Sequence, residues 1–189
     1  MECVEALKDI EQINSMKRFL KDHSERDYLL FVFGINTGLN ITEILEIKVQ
    51  DVLESEGIVK DFYLFPETDS KGEKIEIFLN RKVKTAILDF LSSSQLSGDD
   101  YLFQSSKTKK AITRQQAYRI IHHAAEEVGI EGKIGTNSMR KTFGYHAYKR
   151  GVSIALIQKY FHHATPSETL KFLGLSKSES IRSEIDVDL

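Results

Sequence analysis

The sequence predicts a mainly α-helical domain with a small antiparallel β-sheet, an α+β class. Three observations lead there. Along most of the 189-residue chain, apolar residues recur at the three- and four-residue spacing of amphipathic helices. Two stretches alternate instead, one on each side of the polar turn Asp69-Ser70-Lys71-Gly72, which is the pattern of a hairpin. Only two prolines occur, Pro66 and Pro166, and neither interrupts a predicted helix.

Taken in order, Ile10, Ile13, Met16 and Leu20 define a first helix over about residues 9–22. Ser24 is a good N-cap for a second, apolar helix through Tyr28, Leu29, Phe31, Val32 and Ile35, which Gly38 stops. Thr42 is then expected to cap a short helix ending near Lys48. Residues 58–66 and 73–79 supply the hairpin strands, and helices follow over 81–93, 113–128, 137–150, 153–161 and 166–173. The Ser-rich stretch 92–98 and the basic stretch 104–112 read as loops, and there is no internal repeat or low-complexity tract.

A chain of this length holds one domain with a sizeable core and leaves little room for a second. With 41% hydrophobic and 29% charged residues, its composition is ordinary for a globular protein. The single cysteine, Cys3, excludes a disulfide framework and a cysteine-based metal site, and fits a reducing cytoplasm. No apolar run approaches the ~18 residues of a membrane span, and the acidic opening Met1-Glu2-Cys3-Val4-Glu5 is unlike a signal peptide. The spacing of His122, His123 and His162 matches no metal site, so these are expected on the surface or on helix faces. Neither a metal nor a cofactor is expected.

The net charge of −2 conceals a split. Residues 1–100 carry 12 Lys+Arg against 20 Asp+Glu, whereas residues 101–150 carry 10 against 3. A basic block inside an acidic chain is a plausible footprint for a polyanion, although a solvated basic face would carry the same charges.

The most informative residues lie near the end. Asn137-x-x-Arg140 is followed 23 residues after Arg140 by His163, and nine residues further on by Phe172. Upstream stands Thr37-Gly38-Leu39-Asn40-Ile41-Thr42-Glu43-Ile44-Leu45, and Arg140 itself sits in Gly135-Thr136-Asn137-Ser138-Met139-Arg140-Lys141-Thr142-Phe143. Gln158-Lys159-Tyr160-Phe161 precedes His162-His163-Ala164-Thr165-Pro166-Ser167-Glu168-Thr169-Leu170-Lys171-Phe172. In order and near-spacing, these segments resemble the tyrosine recombinase (phage integrase) family. Its patterns are T-G-L-R-x-S/T-E-L/I-L, then G-x-H-x-L/M-R-H/K-T-F, then I-Q-x-x-L/F and G/N-H-S-S-x-x-x-T-L-R-Y. The resemblance covers almost the whole chain and implies that family's catalytic-domain fold over residues 1–175, with 176–189 as a C-terminal tail. Full-length members place a helical domain first, so that two domains clamp DNA. Here the resemblance begins within the first ten or so residues, and the N-terminal core-binding domain is expected to be missing.

In such recombinases the tyrosine hydroxyl attacks a DNA phosphate and forms a 3′-phosphotyrosyl link without a metal. Two arginines and a His or Trp hold the oxygens where charge develops. A histidine acts in proton transfer, and a hairpin lysine protonates the leaving oxygen. The resemblance puts Asn40 at the first arginine, Asn137 at the histidine and Phe172 at the nucleophile. Phe172 has no hydroxyl, and no tyrosine follows Tyr160, so the covalent route is closed there. Phe172 and Tyr160 then read as packing residues, Phe172 as a core aromatic on an amphipathic helix. A short neutral amide cannot supply the bidentate fork of an arginine, a loss that commonly costs ~100- to 1000-fold in rate. Asn137 can hydrogen-bond a phosphate but cannot exchange a proton near neutral pH. For the hairpin lysine, Lys71 and Lys74 both lie near, while alignment puts Ser70 or Asp69 there, and the position stays open.

Arg140 and His163 survive and could grip one phosphate beside Lys141; the bland alternatives are a salt bridge for Arg140 and a structural role for His163. The expected function is DNA binding without cleavage, as a regulator or accessory factor of a phage or mobile element. Double-stranded DNA would meet Arg140, Lys141, His163, Lys107, Lys109, Lys110, Arg114, Arg119 and Lys71. Two alternatives stand beside it. One is an active recombinase or integrase. The other is an interaction module whose tail, from Ser176 to Leu189, docks on an active recombinase or on a second copy of the chain.

Overall fold

The computed structural model describes residues 4–54, 57–68 and 74–175. The tip of the expected hairpin, with Lys71, and the tail 176–189 lie outside the described residues. Among those described, the helices are α1 (Ile10–His23), α2 (Glu25–Thr37), α3 (Ile41–Leu45), α4 (Val49–Val52), α5 (Arg81–Ser93), α6 (Arg114–Glu127), α7 (Thr136–Lys149), α8 (Ile154–Phe161) and α9 (Pro166–Leu173). The antiparallel strands β1 (Phe62–Thr68) and β2 (Lys74–Phe78) complete the mainly helical fold with its small sheet.

Local chemistry accounts for most of these boundaries. The Asp9 carboxylate accepts the Glu11 N–H at 2.8 Å and opens α1. Ser24 ends α1 through its own N–H and caps α2, its hydroxyl accepting the Asp27 N–H at 3.3 Å. Gly38 closes α2 in the left-handed region at φ 67°, where a side chain would be strained. Pro166 stands in the first turn of α9, where its missing N–H costs nothing.

Two expectations need correction. The third helix is capped by Asn40, not by Thr42, and ends at Leu45 rather than near Lys48. Asn40 wins because its short carboxamide reaches the Glu43 N–H while the Glu43 carboxylate returns to the Asn40 N–H, satisfying two orphan donors at once. Thr42 sits exposed inside the helix, and a separate short helix, α4, takes up residues Val49–Val52. The first strand starts at Phe62 rather than at 58, because Val59 pairs with Leu53 in an isolated bridge instead of with the second strand.

The chain divides into two compact units, Met1–Phe143 and Gly144–Leu189, with the boundary inside α7. In the first, α2 is central: Leu29, Leu30, Phe31, Val32 and Phe33 are all buried, and both α1 and α5 pack on this helix. The start of α7 joins the same core. Met139 fills the space beside Gly34, and the Thr142 hydroxyl accepts the Leu7 N–H at 2.9 Å. The sheet register pairs Tyr63 with Ile77, both buried, and Phe62 with Phe78, both exposed. Burial, reinforced by Asp51, Glu43 and Glu46, pushes the Tyr63 phenol up to about 12. In the second unit α8 packs on α9, and Phe161 and Leu173 close over Gly144 so tightly that a Cβ there would lie 2.6 Å from a Leu173 methyl.

Gly38 combines the left-handed backbone with a close approach of the Phe143 ring to its α-carbon. Gly38→Ala should therefore destabilise the fold by ~2 kcal/mol or more through strain and overpacking. Urea unfolding monitored by circular dichroism measures this. A loss under ~0.5 kcal/mol, typical of a neutral surface change, would contradict the account.

Candidate functional site

The site is built outward from the turn that joins α2 to α3. Gly38 turns the chain, Leu39 is buried, and Asn40 starts α3 through the reciprocal bonds with Glu43. The Asn40 side-chain oxygen accepts the Glu43 N–H at 3.0 Å, and the Glu43 carboxylate accepts the Asn40 N–H at 2.7 Å. Arg140, on the first half of α7, donates to the Gly38 carbonyl at 2.6 Å and faces the Glu43 carboxylate at 3.9 Å. Its side chain is only 14% exposed, so this cation is held by the turn rather than standing in solvent. The salt-bridge alternative for Arg140 is thus present in the structure, in partly buried form. Lys141, the next residue, is half-buried.

Beside the turn opens a cleft of about 570 Å³, lined by Asn40, Ile41, Thr42, Arg114, Gln115, Tyr118, Thr136 and Asn137. It brings together three of the expected site residues from distant segments, Asn40, Arg114 and Asn137, of which Arg114 is a cation. Asn137 is exposed in the first turn of α7, and Arg114 is exposed in the first turn of α6. Gln115 and Tyr118 were not singled out by sequence reasoning. Their only signal was a position one residue and one turn after Arg114 on the same helix.

The basic stretch is more ordered than a plain loop. Gln104 pairs with Ala111 in an antiparallel bridge, and the Ser105 N–H donates to the Lys110 carbonyl at 2.8 Å. Lys109 takes a left-handed conformation at φ 59° to make the return. The base is pinned by the buried Gln104, whose amide donates to Asp100 at 2.9 Å and whose carbonyl accepts from Arg26 at 3.2 Å. Lys107, Lys109 and Lys110 are exposed on this small hairpin, and Thr113 then caps α6 with the reciprocal partner Gln116. Arg119 is exposed further along α6 and does not line the cleft.

His163 and Phe172 belong to the second unit. The His163 Nδ1 lies 3.0 Å from the Thr169 hydroxyl, which is buried and in turn reaches the Thr165 carbonyl at 3.5 Å. The Gln158 amide also donates to the His163 carbonyl at 3.2 Å. Phe172 packs edge-on against His163, with ring centroids 5.0 Å apart, and against Phe161 at 5.5 Å. It is half-buried rather than a full core position. The buried residues of α9 are Thr169, Leu170 and Leu173. Tyr160 is half-buried with its ring 5.8 Å from that of Phe161, and packs as expected. His162 is the exposed left-handed C-cap of α8, while His122 and His123 lie on α6 near Glu126 and Glu127, at 3.4 and 3.8 Å.

The sequence profile described as the phage integrase family matches residues 7–179. The chain is 38% identical over 177 residues to the probable integrase/recombinase YoeC of Bacillus subtilis, covering 94% of this chain and 93% of that relative. It belongs to the phage integrase family. The tyrosine recombinase XerD of Listeria innocua is 25% identical over 178 residues, which is 90% of this chain and 57% of XerD. The type 1 fimbriae regulatory protein FimE of Escherichia coli is 27% identical over 174 residues, 84% of this chain and 83% of FimE. The chain thus spans little more than half the length of XerD, and nearly all of YoeC. Among solved structures, the XerA recombinase superposes with a TM-score of 0.74 at 20% identity, over 94% of this chain and 61% of that one. XerH bound to its palindromic difH substrate superposes with a TM-score of 0.71 at 16% identity, over 94% and 51%. These likenesses show a shared tyrosine recombinase catalytic-domain fold.

Within this family fold, Asn40 has a structural task in the first unit. Asn40→Ala should cost ~1 kcal/mol by removing the acceptor for the Glu43 N–H, whereas Asn40→Asp keeps that acceptor and should stay within ~0.5 kcal/mol of the parent. Paired thermal melts of the two variants check this. Equal loss in both would show that the carbonyl geometry of the cap does not matter.

Proposed function

We propose that this chain binds double-stranded DNA without cutting it, as a regulator or accessory factor of a phage or mobile element. The observation that carries the reading is Phe172. It stands where the family pattern has the nucleophilic tyrosine, its ring lies against His163, and no tyrosine occurs later in the chain. Two further positions point the same way. Asn40 stands at the first arginine and spends its side chain on capping α3. Asn137 stands at the histidine and offers a neutral amide to the cleft. In the family pattern these three positions supply a nucleophile, a cation and a proton carrier, and the side chains of this sequence supply none of them.

Support for DNA as the partner is electrostatic and familial. Lys107, Lys109, Lys110 and Arg114 follow one another along the basic hairpin and into the cleft at the start of α6. Solved structures of the same fold include the Tn1549 transposon integrase in complex with transposon right end DNA. The name of FimE, a regulatory protein, shows that family members of similar span include one named for regulation. The name of YoeC favours a second reading, active strand exchange, and that reading requires a nucleophile other than residue 172. A role as a docking module through residues 176–189 needs no DNA contact, and loss of DNA binding separates it from the first reading.

Incubation with a nicked suicide substrate, followed by a denaturing gel, should yield no protein–DNA adduct. An adduct above background would show covalent cleavage and overturn the reading. Phe172→Tyr alone should also remain inactive, because the groups of a catalytic unit do not act additively. Only Asn40→Arg, Asn137→His and Phe172→Tyr together restore the first arginine, the histidine and the nucleophile, starting from a fold weakened by ~1 kcal/mol at the lost cap. Robust cleavage by Phe172→Tyr alone would show that Asn40 and Asn137 had left the phosphate site competent.

Reversal of charge at Lys109, Lys110 and Arg114 should weaken a gel shift by an order of magnitude or more, and should flatten its dependence on salt. Each phosphate contact contributes about one to the slope of log affinity against log salt. Unchanged affinity would remove this face from the interface.

A further inference from the structure

A second pocket lies apart from the cleft at Asn40, among α1, α2 and α5. It encloses about 460 Å³ and is lined by Lys17, Tyr28, Val32, Arg81, Lys82 and Thr85. Three of its six lining residues are cations, and no carboxylate lines it. We propose that this pocket is a binding site for a phosphate group, held by Lys17, Arg81 and Lys82.

The charges around the pocket separate into two classes. Lys21 and Lys84, next door on α1 and α5, each have a carboxylate: Lys21 pairs with Asp89 at 3.3 Å, and Lys84 pairs with Asp61. Lys17, Arg81 and Lys82 have no carboxylate within ion-pairing distance among the described residues. The three therefore form an uncompensated positive cluster within a chain whose first 100 residues are acidic on balance. Such a cluster is unfavourable unless solvent or an anion screens it. Lys17 registers the cost: burial first, and the Lys82 ammonium second, hold its pKa below the ordinary lysine value. An anion seated between Lys17 and Lys82 would reverse the second effect and offset the first.

The chemistry of the lining favours phosphate over a simple carboxylate. Arg81 can offer a planar fork and the two lysines can offer point charges, a combination suited to an oxyanion with several acceptor oxygens. Arg81 and Lys82 open α5, whose cap Asn80 satisfies the Val83 N–H and whose first turn carries no acid. The positive end of the helix dipole adds to their field. The Tyr28 ring and Val32 form an apolar wall, and the cavity falls within the ~300–1,000 Å³ of small-molecule sites, so a phosphate ester has room for its organic part. A phosphate of the DNA backbone offers the same chemistry.

The test is a heteronuclear NMR titration of the full chain, in phosphate-free buffer at constant ionic strength. Inorganic phosphate is the first probe, a nucleoside monophosphate the second, and sodium chloride the control. Saturable shifts at residues 17, 28, 81, 82 and 85 are expected with phosphate or the monophosphate and not with chloride. Lys17→Gln, and separately Lys82→Gln, should each weaken binding by about tenfold, the loss of one charge-assisted contact. Lys82 is exposed, so its variant keeps the test valid even if the half-buried Lys17 position does not tolerate replacement. Prior saturation with duplex DNA identifies the source. Blocked phosphate binding assigns the group to the DNA backbone, and undisturbed binding assigns it to a free phosphate ester. Shifts that fail to saturate, or that saturate equally in the parent and both variants, would overturn the site. The outcome is independent of whether the chain cuts DNA.

Discussion

Glu43 accepts the Asn40 N–H at 2.7 Å, faces the Arg140 guanidinium at 3.9 Å, and donates its own N–H to the Asn40 side chain at 3.0 Å. Three elements depend on that one corner. Helix α2 must end at Gly38 to present its carbonyl to Arg140, α3 must begin at Asn40, and α7 must bring Arg140 up from a position 102 residues away. Each polar group in the corner is largely withdrawn from water, so each would cost free energy if its partner were lost. An arginine at position 40 could not reproduce the cap, because a guanidinium accepts no hydrogen bond. The neutral amide is therefore a working part of this turn, not merely the absence of a charge.

The distribution of charge follows from a few local constraints. Buried Gln104 and its bonds to Asp100 and Arg26 fix the base of the basic hairpin, and the left-handed Lys109 closes it. With the ends fixed, lysines 107, 109 and 110 are held near one another in spite of their mutual repulsion. The capping box at Thr113 and Gln116 then sets the direction of α6 and turns Arg114 toward the cleft shared with Asn40 and Asn137. A positive field concentrated in this way suits an extended polyanion better than a small acidic ligand.

In the second unit, Phe161, His163 and Phe172 form an aromatic cluster with tilted, edge-on contacts between 5.0 and 5.6 Å. Such contacts stabilise by ~0.5–1.5 kcal/mol beyond the area they bury. The Thr169 hydroxyl fixes the histidine ring from its Nδ1 side. A phenylalanine at 172 thus keeps a packing role on the half-buried face of α9 while carrying no group able to attack phosphorus. The same substitution explains both the retained fold and the proposed loss of chemistry.

The sequence alone determined what is encoded within a few residues. The helices α1, α2 and α5 to α9 are legible within one or two residues of their ends, because apolar periodicity, Ser24, Gly38 and Pro166 act on their immediate neighbours. The cap of α3 was misassigned to Thr42, and only the structure shows that Asn40 takes it through its reciprocal bonds with Glu43. The family motifs named Arg140, His163 and residue 172 from spacing. Tertiary structure decided the rest: that Arg140 is held by the Gly38 carbonyl, that Asn40, Arg114 and Asn137 line one cleft, and that Lys17 and Lys82 line one pocket. These contacts join segments dozens of residues apart. Periodicity and capping patterns reach only about one helical turn, so contacts set by the packing of whole elements leave no trace in local spacing.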